Sequence, residues 1–463
     1  MSFIDSIKLG GKEVLPLIEG GKGVAISTGA SSGPWAKAGG VGTISAVMPD
    51  RYTEDGEFIP HKYDGKTRLE RHREMIAHSI KGTIDQVHKA WEISGGKGHV
   101  NLNMLWELGG SQEILHGVLE KTKEMVHGIT CGAGMPFKLG ELASKYGVHY
   151  YPIISSGRAF KLLWMRAFKK YDGLLGGVVY EDPWLAGGHN GLSNAEDPDK
   201  PADPYPRVKD LRDVMRKFGL DNVPIIMAGG VWALKDWKDW INNKELGPVM
   251  FQFGTRPLVT KESPISEGWK DRLLKLKPGD VLLQNFSPTG FYSSAVKNPF
   301  IKEMVDRVKR QIDFRKTADE KFSYELVHER KKYWVRPGDV GKVQGWINTG
   351  HERAMKTPED TLIFTTADKC AEIRKDQQDC VGCLSQCRFS SWATNEKNST
   401  GRLADPRSFC IQKTLLDISH EGSLDNNLMF AGHNAFKFSE DPFYSNGFIP
   451  SVKQLFDRIM TGE

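Results

Sequence analysis

Short apolar runs alternate with longer amphipathic stretches through the first 260 residues. Runs rich in Val, Ile and Phe at 24–27, 42–47, 100–104, 128–131, 149–154, 173–179, 224–227 and 249–253 read as strands. Stretches at 69–93, 112–125, 139–146, 157–169, 208–218 and 235–242 repeat apolar residues three and four apart and read as helices. Apolar strands separated by helices argue for βαβ units and a parallel sheet buried on both faces. Eight strands over this length predict an α/β fold, a closed (β/α)8 barrel. A doubly wound open sheet is the other arrangement the pattern allows.

Beyond this region the pattern changes. Residues 264–300 are loop-rich and include Ser287-Pro288-Thr289-Gly290. Residues 301–340 are strongly charged and helical at first. Their densest basic run, His328-Glu329-Arg330-Lys331-Lys332, reads as a solvated helix face or as a contact surface for an anionic partner. The last part joins the turn Ala431-Gly432-His433-Asn434 to an amphipathic helix. The expected division is a barrel over 1–300, a charged and cysteine-rich insertion over 301–425, and a segment over 426–463 that packs back on the barrel.

Composition narrows the class. The chain has 463 residues, enough for a barrel of about 250 plus additions. With 39% hydrophobic and 26% charged residues it is a folded chain, not a disordered one. No window holds a long uncharged apolar run, so no membrane span is expected. The first residues lack a basic stretch followed by an apolar core, which makes the cytoplasm the expected location. The charge sum, 63 − 58 = +5, is spread along the chain and does not by itself imply nucleic acid. Glycine is in excess: 49 of 463, roughly 11% against an average of about 7%.

The glycines cluster at strand ends. Gly20-Gly21-Lys22-Gly23, Gly39-Gly40-Val41-Gly42, Gly187-Gly188-His189-Asn190-Gly191, Gly229-Gly230 and Gly254-Thr255-Arg256 each flank a predicted strand. Glycine in a βα loop lets backbone N–H groups reach phosphate oxygens with no Cβ in the way. The last two clusters would end the seventh and eighth strands, where barrels of this kind hold phosphate. A phosphate-bearing cofactor or substrate is expected there. His189 stands on flexible backbone at a strand end, and an imidazole of ordinary pKa is a usable base near neutral pH.

These clusters in this order resemble the nitronate monooxygenase family and the related flavin-dependent enoyl-ACP reductases. The matching segments are 20–47, 100–102, 130–136, 173–191, 223–231 and 251–263, with Thr289-Gly290 and Phe430-Ala431-Gly432-His433 further on. The resemblance implies a TIM barrel holding one FMN at the strand C-termini. It implies Gly229, Gly230, Gly254 and Thr255 around the phosphate, Asn101, Gly21, Lys22 and Gly23 near the ring, and Gly187 and Gly188 closing the site. It implies His189 as the catalytic histidine, acting on a carbon acid or its anion. The chain departs from the family at Lys22, where methionine is common. It departs again at Tyr180-Glu181-Asp182-Pro183-Trp184-Leu185, and in the long insertion. A lysine at position 22 would stabilise an anionic reduced flavin or bind an acidic substrate.

The insertion holds most of the cysteines. Cys380-x-x-Cys383-x-x-x-Cys387 is followed at a distance by Cys410, and Cys370 lies upstream. Three thiolates from one loop plus a remote one can hold an iron–sulfur cluster of the 4Fe–4S type or a tetrahedral zinc. The spacing leaves open whether Cys410 or Cys370 is the fourth ligand. Cys370 and Cys131 read as buried small residues, which favours Cys410 as the fourth ligand, and unligated thiols are the third reading of the set.

The expected function is an FMN-dependent oxidoreductase of nitronate monooxygenase type, oxidising alkyl nitronates with oxygen. A second reading is an FMN and iron–sulfur reductase of an activated double bond or modified nucleoside. Its partners would be an electron-donor protein and an anionic carrier, acyl carrier protein or tRNA, meeting the basic region 302–336. A third reading is a flavin-binding scaffold without catalysis.

Overall fold

The computed structural model describes residues 3–193, 195–420 and 422–463. Eight parallel strands close into a barrel in chain order: Leu17–Glu19, Val41–Ser45, His99–Leu105, Gly128–Gly132, His149–Ile154, Val178–Glu181, Ile225–Ala228 and Val249–Phe253. The last strand pairs with the first, Phe251 opposite Leu17, so the sheet has no free edge. The strand Val41–Ser45 is buried along its whole length, as expected of a strand covered by side chains inside and helices outside. The outer layer includes helices Gly29–Lys37, Arg68–Ile93, Ser111–Thr122, Leu139–Tyr146, Gly157–Arg166 and Pro204–Arg216. The longest of them starts at Thr67, whose hydroxyl accepts from the Glu70 N–H while Glu70 returns the bond, a reciprocal cap that satisfies two orphan donors.

Three expected elements differ. The run 24–27 is no strand; the first strand is Leu17–Glu19, so the glycine loop follows it and faces the barrel mouth. Val24, Ala25 and Ile26 are buried by packing into that mouth, not by joining the ladder. The run 173–179 yields a strand only from Val178, because a 3-10 turn occupies Phe168–Leu174. The stretch 235–242 forms only the short 3-10 turn Leu234–Trp237. Its helix-like apolar spacing reflects Trp237 and Trp240 packing edge to face at 4.8 Å.

The segment after residue 300 is built in two parts. Strands Gln311–Asp313, Arg353–Lys356 and Thr361–Thr365 form a small antiparallel sheet, with helix Val340–Asn348 and the hairpin of Tyr324–His328 with Lys331–Val335. This part has its own core of Ile312, Phe314, Tyr333, Val335, Val343, Leu362 and Phe364. The cysteine-bearing part, from helix Ala367–Gln378 onward, merges with the core of the barrel. The basic run 328–332 is the hairpin turn, not a helix face: Glu329 and Arg330 sit at φ 49° and 64°. Lys332 pairs with Glu325 at 3.0 Å and Arg353 with Glu329 at 3.0 Å, which offsets much of its charge.

The tail returns to the barrel. Phe456 of helix Val452–Met460 meets Trp35 edge to face at 5.2 Å. Arg256, just after the eighth strand, is fully buried and donates to the carbonyls of Trp232 (2.6 Å) and Glu463 (3.1 Å), and to Asp441 (3.2 Å). Among the described residues no helix is long and apolar enough to cross a membrane.

Candidate functional site

The C-terminal ends of the strands open into one cavity. Its floor comes from Gly20–Val24, Asn103, Gly132, Glu181, Gly187–His189, Gly229–Trp232 and Gly254–Arg256. Its roof comes from outside the barrel: Cys383 and Leu384, Ile411 and Leu415, and Met429, Phe430, Gly432 and Asn434. The hairpin of Val281–Gln284 with Ser293–Val296 braces this roof, since Ala295 bridges Phe430 and Ser293 bridges His189.

One corner of the floor is almost free of side chains. Gly229 and Gly230 hold φ 90° and 75°, left-handed backbone that favours glycine. At Gly254 an added Cβ would meet no protein atom within 4 Å, so the space beside it belongs to the cavity. The tail pins this corner: the Gly432 N–H donates to Thr255 Oγ1 at 2.9 Å and Asn434 Nδ2 to the Gly230 carbonyl at 2.7 Å. Such a cradle fits a phosphoryl group and would be filled by any larger residue. The residues expected around an FMN phosphate are therefore brought together.

At the first strand, a Cβ on Gly21 would lie 2.2 Å from Asn103 Cγ, so only glycine lets the Asn103 carboxamide reach the loop. Asn103, not Asn101, lines the cavity. Strand side chains alternate, so both asparagines face inward, but Asn101 sits two residues deeper and is sealed in the barrel core with Oδ1 unpartnered. Lys22 reaches the cavity with its charge already engaged. Its Nζ donates to Glu19 Oε1 and to the Gly20 carbonyl, both at 2.9 Å. Glu19 is buried, which makes this wall of the site close to neutral and weakens the expectation of a free cation there. The second glycine cluster plays no part in the site. A Cβ on Gly40 would strike the Leu17 carbonyl at 2.6 Å, so that glycine serves packing at the other end of the barrel.

His189 lines the cavity, its Nε2 2.6 Å from Ser287 Oγ, which in turn lies 2.8 Å from Thr289 Oγ1. The ring of Phe430 stands edge-on at 5.5 Å. Burial lowers the His189 pKa to about 4, so the imidazole is neutral across the physiological range. It can accept a proton or donate its N–H to an anion, but it is a weaker base than an ordinary histidine. Glu181 ends the sixth strand and also lines the cavity. Burial, and then the charge of Asp182, push its carboxyl up to about 8, which leaves a neutral acid in the site at pH 7. Asp182 itself is buried and accepts from the Trp184 and Leu185 N–H groups, fixing the loop that leads to His189. Sequence reasoning marked Glu181 only as part of a departure from the family and gave it no role, and it missed Asn103 and Ser287. The parity of Asn101 and Asn103 on one strand could have pointed to the second of them.

Four cysteines meet beneath the roof. The thiols of Cys380, Cys387 and Cys410 all raise the pKa of Cys383, after the larger effect of its burial, which places the four within electrostatic reach of one another. Burial pushes the Cys410 thiol up to about 12. Cys370 is buried on the helix Ala367–Gln378 and Cys131 inside the fourth strand. Backbone donors point at the sulfurs: the Gly382 N–H at Cys380 Sγ (3.4 Å), those of Phe389 and Ser390 at Cys387, and that of Lys413 at Cys410. Among the described residues no group of three or more His, Cys, Asp and Glu side chains could hold a metal ion, so the iron–sulfur or zinc centre expected at Cys380, Cys383, Cys387 and Cys410 is not supported.

No protein-family model and no characterised protein matches the sequence. Solved structures do. The chain is similar in fold to the enoyl reductase domain of MlnA from the macrolactin biosynthesis cluster of Bacillus amyloliquefaciens, at 12% identity, TM-score 0.56, over 96% of this chain and 93% of that one. It is similar to FabK from Thermotoga maritima at 14% identity, TM-score 0.51, over 96% and 92%. A nitroalkane oxidase from Streptomyces ansochromogenes matches at 15% identity and TM-score 0.45 over 62% of this chain and 78% of its own. At these identities the likeness is one of fold: a (β/α)8 barrel of the architecture that the glycine motifs resemble.

Proposed function

We propose that this chain is an FMN-dependent oxidoreductase that reduces an activated double bond. The observation behind this reading is the make-up of the cavity: a phosphate cradle almost free of side chains, a neutral imidazole and a neutral carboxyl lining one cavity. The cradle at Gly229, Gly230, Gly254 and Thr255 would hold the FMN phosphate, with Gly21–Gly23 and Asn103 toward the ring. FMN, when bound, supplies two-electron transfer to a substrate. The protein's share is binding, orientation and protons. The N–H of His189 is available to an oxygen of the substrate that gains negative charge, steadied by Ser287. Glu181 is available as a proton source because its burial keeps the proton on at neutral pH. The roof residues Leu384, Ile411, Leu415 and Phe430 exclude water.

Oxidation of alkyl nitronates with oxygen is the second reading, favoured by His189 on its glycine loop. Anaerobic mixing of the FMN-loaded protein with propionate 3-nitronate, NADH or NADPH separates the two. Bleaching of the flavin by the nitronate alone supports nitronate oxidation and contradicts the reductase. Bleaching by a pyridine nucleotide supports the reductase. For an anionic carrier, the groove beside Gly191 is better suited than the expected 302–336 region. There Arg158, Lys161 and Arg166 border the exposed Leu162 and Met165.

A further inference from the structure

Among the described residues Lys22 and Arg256 are the cations that line the cavity, and the charge of each is met from within the protein. The Arg256 guanidinium donates to Asp441 (3.2 Å), to the Tyr444 hydroxyl (3.2 Å) and to the carbonyls of Trp232 and Glu463. Lys22 is answered by Glu19, which closes the first strand three residues earlier. The Glu19 side chain is 1% exposed and that of Lys22 12%, so the ammonium reaches the cavity and the carboxylate lies behind it.

The turn between the two is held shut. Ser27 Oγ accepts from the Lys22 N–H at 2.8 Å and donates to the Gly20 carbonyl at 3.3 Å, and the Ser27 N–H donates to the Lys22 carbonyl at 3.0 Å. This closure sets Lys22 Nζ on Glu19 Oε1 and on the Gly20 carbonyl, both at 2.9 Å. An ammonium has three N–H donors. Two are engaged here, so a donor remains for a ligand but a net charge does not. Glu19 Oε2 is buried and has no partner among the described residues, so the pair carries no surplus of positive charge.

The balance decides what can bind. An anion brought to Lys22 gains the attraction of the ammonium, meets the repulsion of Glu19 just behind it, and gives up its hydration. An uncharged carbonyl gives up far less and still takes the third N–H. The remaining titratable groups on the wall, His189, Glu181 and Cys383, are neutral at pH 7 and compensate no negative charge.

We infer that Glu19 is a specificity-determining residue: by masking Lys22 it restricts the cavity to substrates whose entering end is uncharged, such as an unsaturated ketone or amide, and turns away carboxylates and other small anions. The inference rests on the reductase reading above and sharpens it, since an alkyl nitronate is an anion.

The test supplies FMN to purified wild type, Glu19→Gln and the double variant Glu19→Gln/Lys22→Met, and titrates each by calorimetry with two probes. One is an unsaturated ketone with a remote carboxylate, the other the same ketone with a primary amide in its place. Wild type should bind the amide at least about tenfold more tightly. Glu19→Gln should shift the ratio toward the carboxylate by about tenfold or more, and the double variant should return it to the wild-type value. A wild-type ratio near one, a ratio unmoved by Glu19→Gln, or failure of both probes to bind overturns the inference. If Glu19→Gln does not fold, the double variant decides, because it leaves no charge unpaired. A further loss of carboxylate binding there of about tenfold would show Lys22 acting as a free cation in wild type, and would overturn the inference too. FMN is quantified in the same samples. The shift without bound FMN sinks the flavin reading and not the masking, and bound FMN with a flat ratio sinks the masking alone.

Discussion

His189 Nε2 and Ser287 Oγ lie 2.6 Å apart, joining the loop after the sixth strand to a loop outside the barrel. The bond fixes the direction of the imidazole, while burial keeps it neutral. With Nε2 held by Ser287, Nδ1 is the ring nitrogen left for the reacting substrate, and His189→Asn should keep FMN bound while turnover falls roughly 10²–10⁴-fold. Single-turnover kinetics with flavin absorbance as the readout would check it. Wild-type turnover in the variant would remove His189 from the chemistry.

Glu181 sets the pH dependence. With its carboxyl pushed up to about 8, the residue is protonated at neutral pH and loses its proton as the pH rises through that value. Turnover should therefore decline on the alkaline side of about pH 8, and Glu181→Gln should abolish that limb while leaving the flavin bound. A limb of unchanged position in the variant would assign it to another group.

The phosphate cradle calls for a substitution that does not disturb the fold. Gly229 is unsuitable, since its φ of 90° and the Ala186 N–H 3.0 Å from an added Cβ make any side chain strained. Gly254→Val places its branches in open space. The variant should fold with an unchanged circular dichroism spectrum yet purify without flavin. A fully yellow Gly254→Val would put the phosphate elsewhere.

Arg256 is expected to matter for stability more than for chemistry. Its buried guanidinium stacks 4.9 Å from the Trp232 ring and ties the eighth strand to Asp441 and the chain end. Removing it leaves buried acceptors unpaired, so Arg256→Ala should lower stability by about 3–5 kcal/mol in denaturant titration. Lysine cannot reproduce the fork of donors and should not rescue it. A loss below about 1 kcal/mol would contradict this role.

Buried histidines fix the acid limit. Burial lowers the pKa of His99 to about 3, and of His78 and His127 to about 4. In the unfolded chain each takes up a proton below about 6.5. The unfolded state then holds more protons, and stability falls as the pH drops through 6.5 toward 4. His420, raised by its bond to Asp50, and Glu181 run the other way, their contributions being present at acid pH and lost as pH rises. The histidines with depressed values outnumber them, so Tm should be lower at about pH 5 than at about pH 7. An equal or higher Tm at pH 5 would show that the balance lies with Glu181 and His420.

Much of the barrel was legible in the sequence because strands buried on both faces are continuous apolar runs, as at 149–154 and 249–253. The first strand was not: Leu17–Glu19 is too short to stand out, and the apolar residues after the glycine loop were more conspicuous. Of the site, the glycines, His189 and the roof residue Cys383 could be picked out as chemistry-bearing. Their meeting in one cavity could not, since it depends on a loop some 190 residues after His189 folding back over the mouth. Glu181 stood out only as part of a departure from the family; its protonation was invisible, because it is a product of burial that a strand-end glutamate does not advertise.

The most direct test of the central claim is to denature the purified protein and identify what it releases. Wild type should release one FMN per chain, and Gly254→Val none. Release of a different cofactor, or a chain that takes up no FMN even when it is supplied in excess, would contradict it.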